Sequence, residues 1–199
     1  MISDASALSS ALMQVLRQRI TVSLMMQRTE PFIVTQSIKK LSAEYKELAL
    51  NRQRFRRLSD NKLVDLDDIT SDDYDQLFYK EEPYSSKKLE QRLIITYSPK
   101  YAAYQKEIRQ RQVERAIAML KDGNHKRQKK NPNDPARFIS KDAVTKDGEI
   151  ADILYYLNES KIAEEAMYDG LYAVCTDLFD DDVADILNVS EGRWQIEAC

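Results

Sequence analysis

Arg193 and Glu197 stand four residues apart near the end of the chain, within Arg193-Trp194-Gln195-Ile196-Glu197. On a helix this spacing puts a guanidinium and a carboxylate on one face, one turn apart, while Trp194 and Ile196 can reach apolar surface. An i,i+4 ion pair is the plain reading; it is worth about 0.5 kcal/mol at best, and Arg before Glu is its weaker order. Upstream, Asp180, Asp181 and Asp182 supply an N-cap and negative charge for a first helical turn. Val183, Ile186 and Leu187 follow at helical spacing, and Asn188-Val189-Ser190 reads as a break with Ser190 as a second cap. Carboxylates and basic residues are the only abundant functional groups. His125 is the single histidine, which excludes Ser-His-Asp and His-rich metal chemistry. Cys175 and Cys199 suggest neither a disulfide framework nor a zinc site, so a reducing cytoplasm is the expected setting.

The residues around this pair carry a longer pattern. Tyr168-Asp169-Gly170-Leu171-Tyr172-Ala173-Val174-Cys175-Thr176 leads through the acidic helix start to Val189-Ser190-Glu191-Gly192-Arg193-Trp194-Gln195-Ile196-Glu197. It resembles the C-terminal half of insertion-sequence transposases of the DDE class, in the subgroup carrying Y-x2-R-x3-E-x6-K. Arg193 and Glu197 occupy the Arg and Glu places; Ser190 stands at the Tyr place, and the Lys place falls beyond Cys199. The resemblance covers Phe32 to Cys199 and includes Phe32-Ile33-Val34-Thr35-Gln36-Ser37-Ile38-Lys39-Lys40 and Gln91 to Tyr104. It implies an α/β chain with a partial RNase H-like fold: residues 32–51 and 168–199 as core remnant, and residues 52–167 as a β-containing (α+β) insertion before the last helix. It also implies Glu197 as a catalytic, metal-binding acid and Arg193 as a DNA contact.

In that family two divalent ions, Mg2+ by preference, are held by two Asp and one Glu. Clustered carboxylates clamp the metals about 4 Å apart, one activating water or a 3′-hydroxyl and the other stabilising the leaving oxygen. The resemblance places the two Asp on strands before Phe32, where 31 residues are too few to supply both. Residues 1–31 are also atypical, rich in Ser, Met and Gln. Read one base earlier, the codons for Met25-Met26-Gln27 must encode Asp-Ala. Permitted codons from Ala7 to Pro31 then yield a run resembling the family's second-aspartate strand and following helix. A frameshifted remnant is the expectation, with Asp4 no substitute because its neighbours lack a strand-like run.

The chain's 199 residues suit one domain with an insertion, and its 43% hydrophobic and 32% charged content is that of an ordinary water-soluble protein. No apolar run is long enough to span a bilayer. The net charge of −3 hides a local asymmetry. Asp65, Asp67, Asp68, Asp72 and Asp73 form an acidic stretch, whereas Lys87 to Lys130 is basic, through Arg92, Lys100, Lys106, Arg109, Arg111, Arg115 and Lys121 to Lys126, Arg127, Lys129 and Lys130. The basic run is either a solvated face or a phosphate-contacting surface, with Lys126, Arg127, Lys129 and Lys130 in a core-free loop as the candidate DNA contacts. Eleven tyrosines serve either core and strand pairing or base stacking.

The remaining pattern places the elements. Phe32 to Thr35 reads as a short buried strand, and Ile38 to Asn51 as a helix presenting Leu41, Tyr45, Leu48 and Ala49. Leu77-Phe78-Tyr79, Arg92 to Tyr97, Arg137-Phe138-Ile139, Ile153 to Leu157 and Leu171 to Thr176 read as strands, with Asp147-Gly148 a turn. Ser98-Pro99 starts a helix over Lys100 to Lys121 with Tyr101, Tyr104, Ile108, Ala116 and Leu120 near one side, ended by Asp122-Gly123-Asn124. Ile162 to Met167 reads as a helical turn. Three functional readings follow. One is a truncated transposase, inactive alone. Another is a product that binds DNA or full-length transposase and interferes with transposition. The last is a non-functional product whose strands Phe32–Thr35 and Leu171–Thr176 are left as exposed edges.

Overall fold

The structure, a computed structural model, describes residues 31–86, 89–123, 133–144 and 152–197. Asp147-Gly148 and the segment 1–30 lie outside them. In chain order the elements are β1 (Ile33–Gln36), α1 (Ala43–Leu50), β2 (Phe55–Arg57), β3 (Leu63–Val64), β4 (Phe78–Ser86), β5 (Leu89–Tyr97), α2 (Pro99–Lys121), β6 (Ile139–Val144), β7 (Asp152–Leu157), α3 (Glu159–Ala166), β8 (Leu171–Thr176) and α4 (Val183–Glu197). Short 3-10 turns at Ile38–Lys40, Leu66–Asp68, Ser71–Asp73 and Pro135–Phe138 join them.

Six strands form one sheet in the order β1-β8-β5-β4-β2-β3, and β6 and β7 form a separate ribbon. Every described pairing is antiparallel. The mixed helix and strand content is therefore arranged as α+β rather than as a parallel α/β sheet. Strands from residues 52–167 and from the flanking residues 32–51 and 168–199 share this one sheet, because β5 pairs with β4 along its length and with β8 over Arg92 to Tyr97.

β5 and β8 are buried on both faces. Leu93, Ile95, Ala173 and Cys175 point to one side, where Ile38, Leu41, Ala49, Phe55 and Leu66 cover them. Ile94 and Val174 point to the other, where Val183, Ile186 and Leu187 of α4 close over them. The period-2 alternation of strand side chains assigns neighbours to opposite layers, and two covered faces explain why both strands read as continuous apolar runs. Leu171–Thr176 is thus an inner strand, not an edge; of the two strands expected to be open, only Ile33–Gln36 lies at the sheet's rim. Near the end of β8, burial pushes the pKa of the Cys175 thiol up to about 11. In a Cys199→Ser chain, thiol labelling at neutral pH is expected to follow global unfolding; labelling that outpaces unfolding would contradict the packing of this strand.

Local chemistry sets the element ends. Ser98 accepts a hydrogen bond from the Tyr101 amide at 3.2 Å and Pro99 begins α2, while Gly123 at φ +72° lies just past its end. The helix expected over Ile38 to Asn51 is instead a 3-10 turn followed by α1, separated by Leu41 and Ser42 in extended conformation. Arg137-Phe138 form part of a 3-10 turn rather than a strand, which begins at Ile139. The acidic stretch supports tight turns: Asp65 accepts from the Arg54 amide, Asp73 pairs with Arg57 and closes a capping box with Thr70, and Asp67 pairs with Arg52.

α2 turns differently from the sequence expectation. Ala116 is buried and Leu120 half-buried, but Tyr101, Tyr104 and Ile108 are 41%, 57% and 37% exposed. The inward side carries Ala102, Gln105, Arg109 and Gln112 instead. Polar partners on the turn before β8 draw that side in: Gln105 accepts from the Gly170 amide at 2.7 Å, and Arg109 pairs with Asp169.

Candidate functional site

The C-terminal helix is held by its first turn and by the strand before it. The Thr176 hydroxyl donates to the Phe32 carbonyl at 2.7 Å, and the Phe32 amide donates to the Asp177 carboxylate at 2.9 Å, tying the end of β8 to the start of β1. Arg92 then gathers the connection to α4. Its Nη1 donates to the carbonyls of Leu178 at 2.6 Å, Phe179 at 3.1 Å and Asp181 at 2.9 Å, while Nε and Nη2 engage Glu81. Asp182 caps the helix, accepting from the Ala184 amide at 2.8 Å.

From there α4 runs unbroken to Glu197. The break expected at Asn188-Val189-Ser190 is absent, and Ser190 is a buried position within the continuous helix. The hydroxyl of Tyr172 on β8 meets Glu191 at 3.5 Å, a further tie between strand and helix. Arg193 and Glu197 lie on this helix one turn apart; their side chains are outside what the structure describes. Lys126, Arg127, Lys129 and Lys130 lie outside the described residues.

A two-metal site needs three or more convergent carboxylates. Among the described residues no group of three Asp, Glu, His or Cys side chains comes together to hold a metal. The acids before α4 are engaged elsewhere or point to solvent: Asp177 accepts from Phe32, Asp182 caps, and Asp180 and Asp181 are exposed. The described donor set therefore does not fit a Mg2+ pair.

The basic stretch is more neutralised than its composition suggests. Arg92 and Arg109 are turned inward onto Glu81 and Asp169, Arg111 pairs with Glu107, and Lys100 reaches Asp75 at 3.0 Å. Among the described residues Lys106, Arg115 and Lys121 have no carboxylate within ion-pair distance. They do not share a face, since Lys106 and Arg115, nine residues apart, fall on opposite sides of α2. α2 alone is not a continuous phosphate-binding stripe.

A groove of about 410 Å3 opens where α2, the end of β1 and the turn before β8 meet. Its lining includes Gln36 to Lys39, then Tyr101, Tyr104 and Ile108 of α2, and Tyr168, Asp169, Leu171 and Tyr172 around the start of β8. Its depth carries closed polar pairs: Arg109 with Asp169, and Arg137 with Glu165 at 3.0 Å and with the Gln112 side-chain carbonyl. Lys39 lies 5.0 Å above the Tyr168 ring, and the near-parallel rings of Tyr101 and Tyr104 have centroids 6.3 Å apart. Helical spacing shows that Tyr101, Tyr104 and Ile108 share a face, but not which side of that face meets the sheet.

Among the described residues no helix is long and apolar enough to cross a membrane. No family model matches the chain, and neither a curated protein nor a solved structure matches it.

Proposed function

We propose that the chain is part of an RNase H-like catalytic domain from a DDE-class transposase of an insertion sequence, able to contact DNA but without strand-cleaving activity of its own. The observation that supports this best is the β8–α4 unit. An inner strand feeds a capped, clamped helix that stays continuous through Arg193 and Glu197, keeping the two on one helical ladder, as the R-x3-E part of the motif requires. Affinity for DNA comes from phosphate contacts by Arg193 and by Lys126, Arg127, Lys129 and Lys130, which carry no base specificity. Glu197 is the one acid of the family's metal-binding set that the resemblance finds in this chain.

Purified chain with magnesium or manganese is expected to leave supercoiled plasmid intact, with Glu197→Gln indistinguishable from it. Metal-dependent nicking that disappears in Glu197→Gln would defeat the inactive-chain part of the proposal. The DNA part is read separately by anisotropy of a labelled duplex across a salt series. Neutralising Lys126, Arg127, Lys129 and Lys130 together is expected to flatten the log K against log salt slope by roughly 0.9 for each phosphate no longer neutralised, for up to four phosphates. An unchanged slope means that this loop is only solvated.

A further inference from the structure

The aromatic groove has a use that phosphate contacts on a duplex do not cover. Tyr101 and Tyr104 sit three residues apart on α2, both exposed, with interplanar angle 23°. Two near-parallel rings offered in succession are a stacking platform for planar groups, and tyrosine holds this form at little conformational cost because it has only two side-chain torsions. The rest of the lining supplies charge. Of the charged groups lining the groove, Lys39, Arg109 and Arg137 face Glu165 and Asp169, a surplus of one positive charge in a chain of net charge −3. Both carboxylates are already paired with the two arginines, so the surplus is Lys39, with exposed Lys40 beside it.

We infer that the groove between Lys39 and the Tyr101–Tyr104 pair binds single-stranded nucleic acid, with the rings stacking unpaired bases and Lys39 meeting a phosphate. A duplex does not satisfy the rings, because its base faces already stack on each other; only an unpaired strand exposes them. Every base has a ring face to stack, which makes this binding tolerant of sequence. The inference stands on these residues and does not require the transposase assignment.

The test is anisotropy of a labelled purine-rich strand of about 12 nucleotides, within the span that single-strand binding modules cover. An abasic strand of the same length and charge and the corresponding duplex serve as competitors. The wild-type chain is expected to prefer the base-bearing strand over the abasic one. Tyr101→Ala with Tyr104→Ala is expected to weaken the base-bearing strand by about 5- to 150-fold for each base unstacked, while Tyr104→Phe binds normally because the ring face is kept. Binding of the abasic strand, carried by phosphates, is expected to be unmoved by the tyrosine changes. Equal binding of base-bearing and abasic strands by the wild-type chain overturns the inference without any variant. So does a double variant, with unchanged thermal midpoint, that binds the base-bearing strand as tightly as wild type. Loss of duplex binding in the lysine-loop variant, with single-strand binding intact, bears on the transposase proposal and leaves this one standing.

Discussion

Replacing Gly170 by alanine is expected to destabilise the chain by about 2–5 kcal/mol, the sum of a left-handed backbone penalty of about 1–2 kcal/mol and an overpacking cost of about 1–3 kcal/mol. Gly170 adopts φ +77°, and a Cβ there would lie 2.8 Å from the Ala102 Cβ, the Ser98 carbonyl oxygen and the Tyr97 ring. Neither a backbone oxygen nor a Cβ on a neighbouring helix can move aside as a flexible side-chain tip can. The same residue joins three elements: its amide donates to Gln105, and its carbonyl accepts from the Ser98 amide at 3.0 Å. Relief of the clash by shifting the turn would therefore break both the cap region of α2 and the entry to β8. Urea unfolding reads the effect directly, and at roughly 2–4 °C per kcal/mol for a chain of this size the thermal midpoint should fall by about 4–20 °C. A Gly170→Ala chain within about 0.5 kcal/mol of wild type would mean that the turn and α2 do not approach each other in this way.

Arg92→Ala is expected to cost about 2–3 kcal/mol, and, more tellingly, to loosen α4 before it loosens the sheet. One guanidinium serves three backbone carbonyls and a carboxylate. Hydrogen bonds to charged groups contribute about 1.5–3 kcal/mol, and the part-exposed Glu81 end of the ion pair adds little once water screens it. Lysine at this position keeps the charge but cannot reproduce the planar fork, so Arg92→Lys should rescue only a small part of the loss. Amide hydrogen exchange is the decisive measurement. Protection across Val183 to Leu187 should fall by more than protection across Leu93 to Ile95, because the clamp holds the helix entry while β5 keeps its two neighbouring strands. Equal loss in both segments would show that Arg92 stabilises the fold in general and does not position the helix carrying Arg193 and Glu197.

Much of the chain's layout follows from local pattern. Ser98-Pro99 and Asp122-Gly123 bound a helix because capping and left-handed backbone chemistry act between near neighbours. The apolar runs at Arg92–Tyr97 and Leu171–Thr176 announce strands, and the acids before Val183 announce a helix start that Asp182 fulfils. Three features depend on partners far away in sequence, and no local pattern carries them. Which strands lie at the rim depends on register: β8 is interior because Leu93↔Cys175 and Val34↔Cys175 pair across long separations. Which face of α2 turns inward depends on Gln105 and Arg109 finding Gly170 and Asp169, so Tyr101, Tyr104 and Ile108 are left outward despite their apolar spacing. Whether a base is free to meet phosphate depends on the carboxylate beside it; Arg92 and Arg109 count as positive charge in the sequence but serve as internal fasteners in the fold. Composition sums charges, whereas the tertiary structure pairs them. That difference takes Arg92 and Arg109 out of the basic stretch as candidate phosphate contacts.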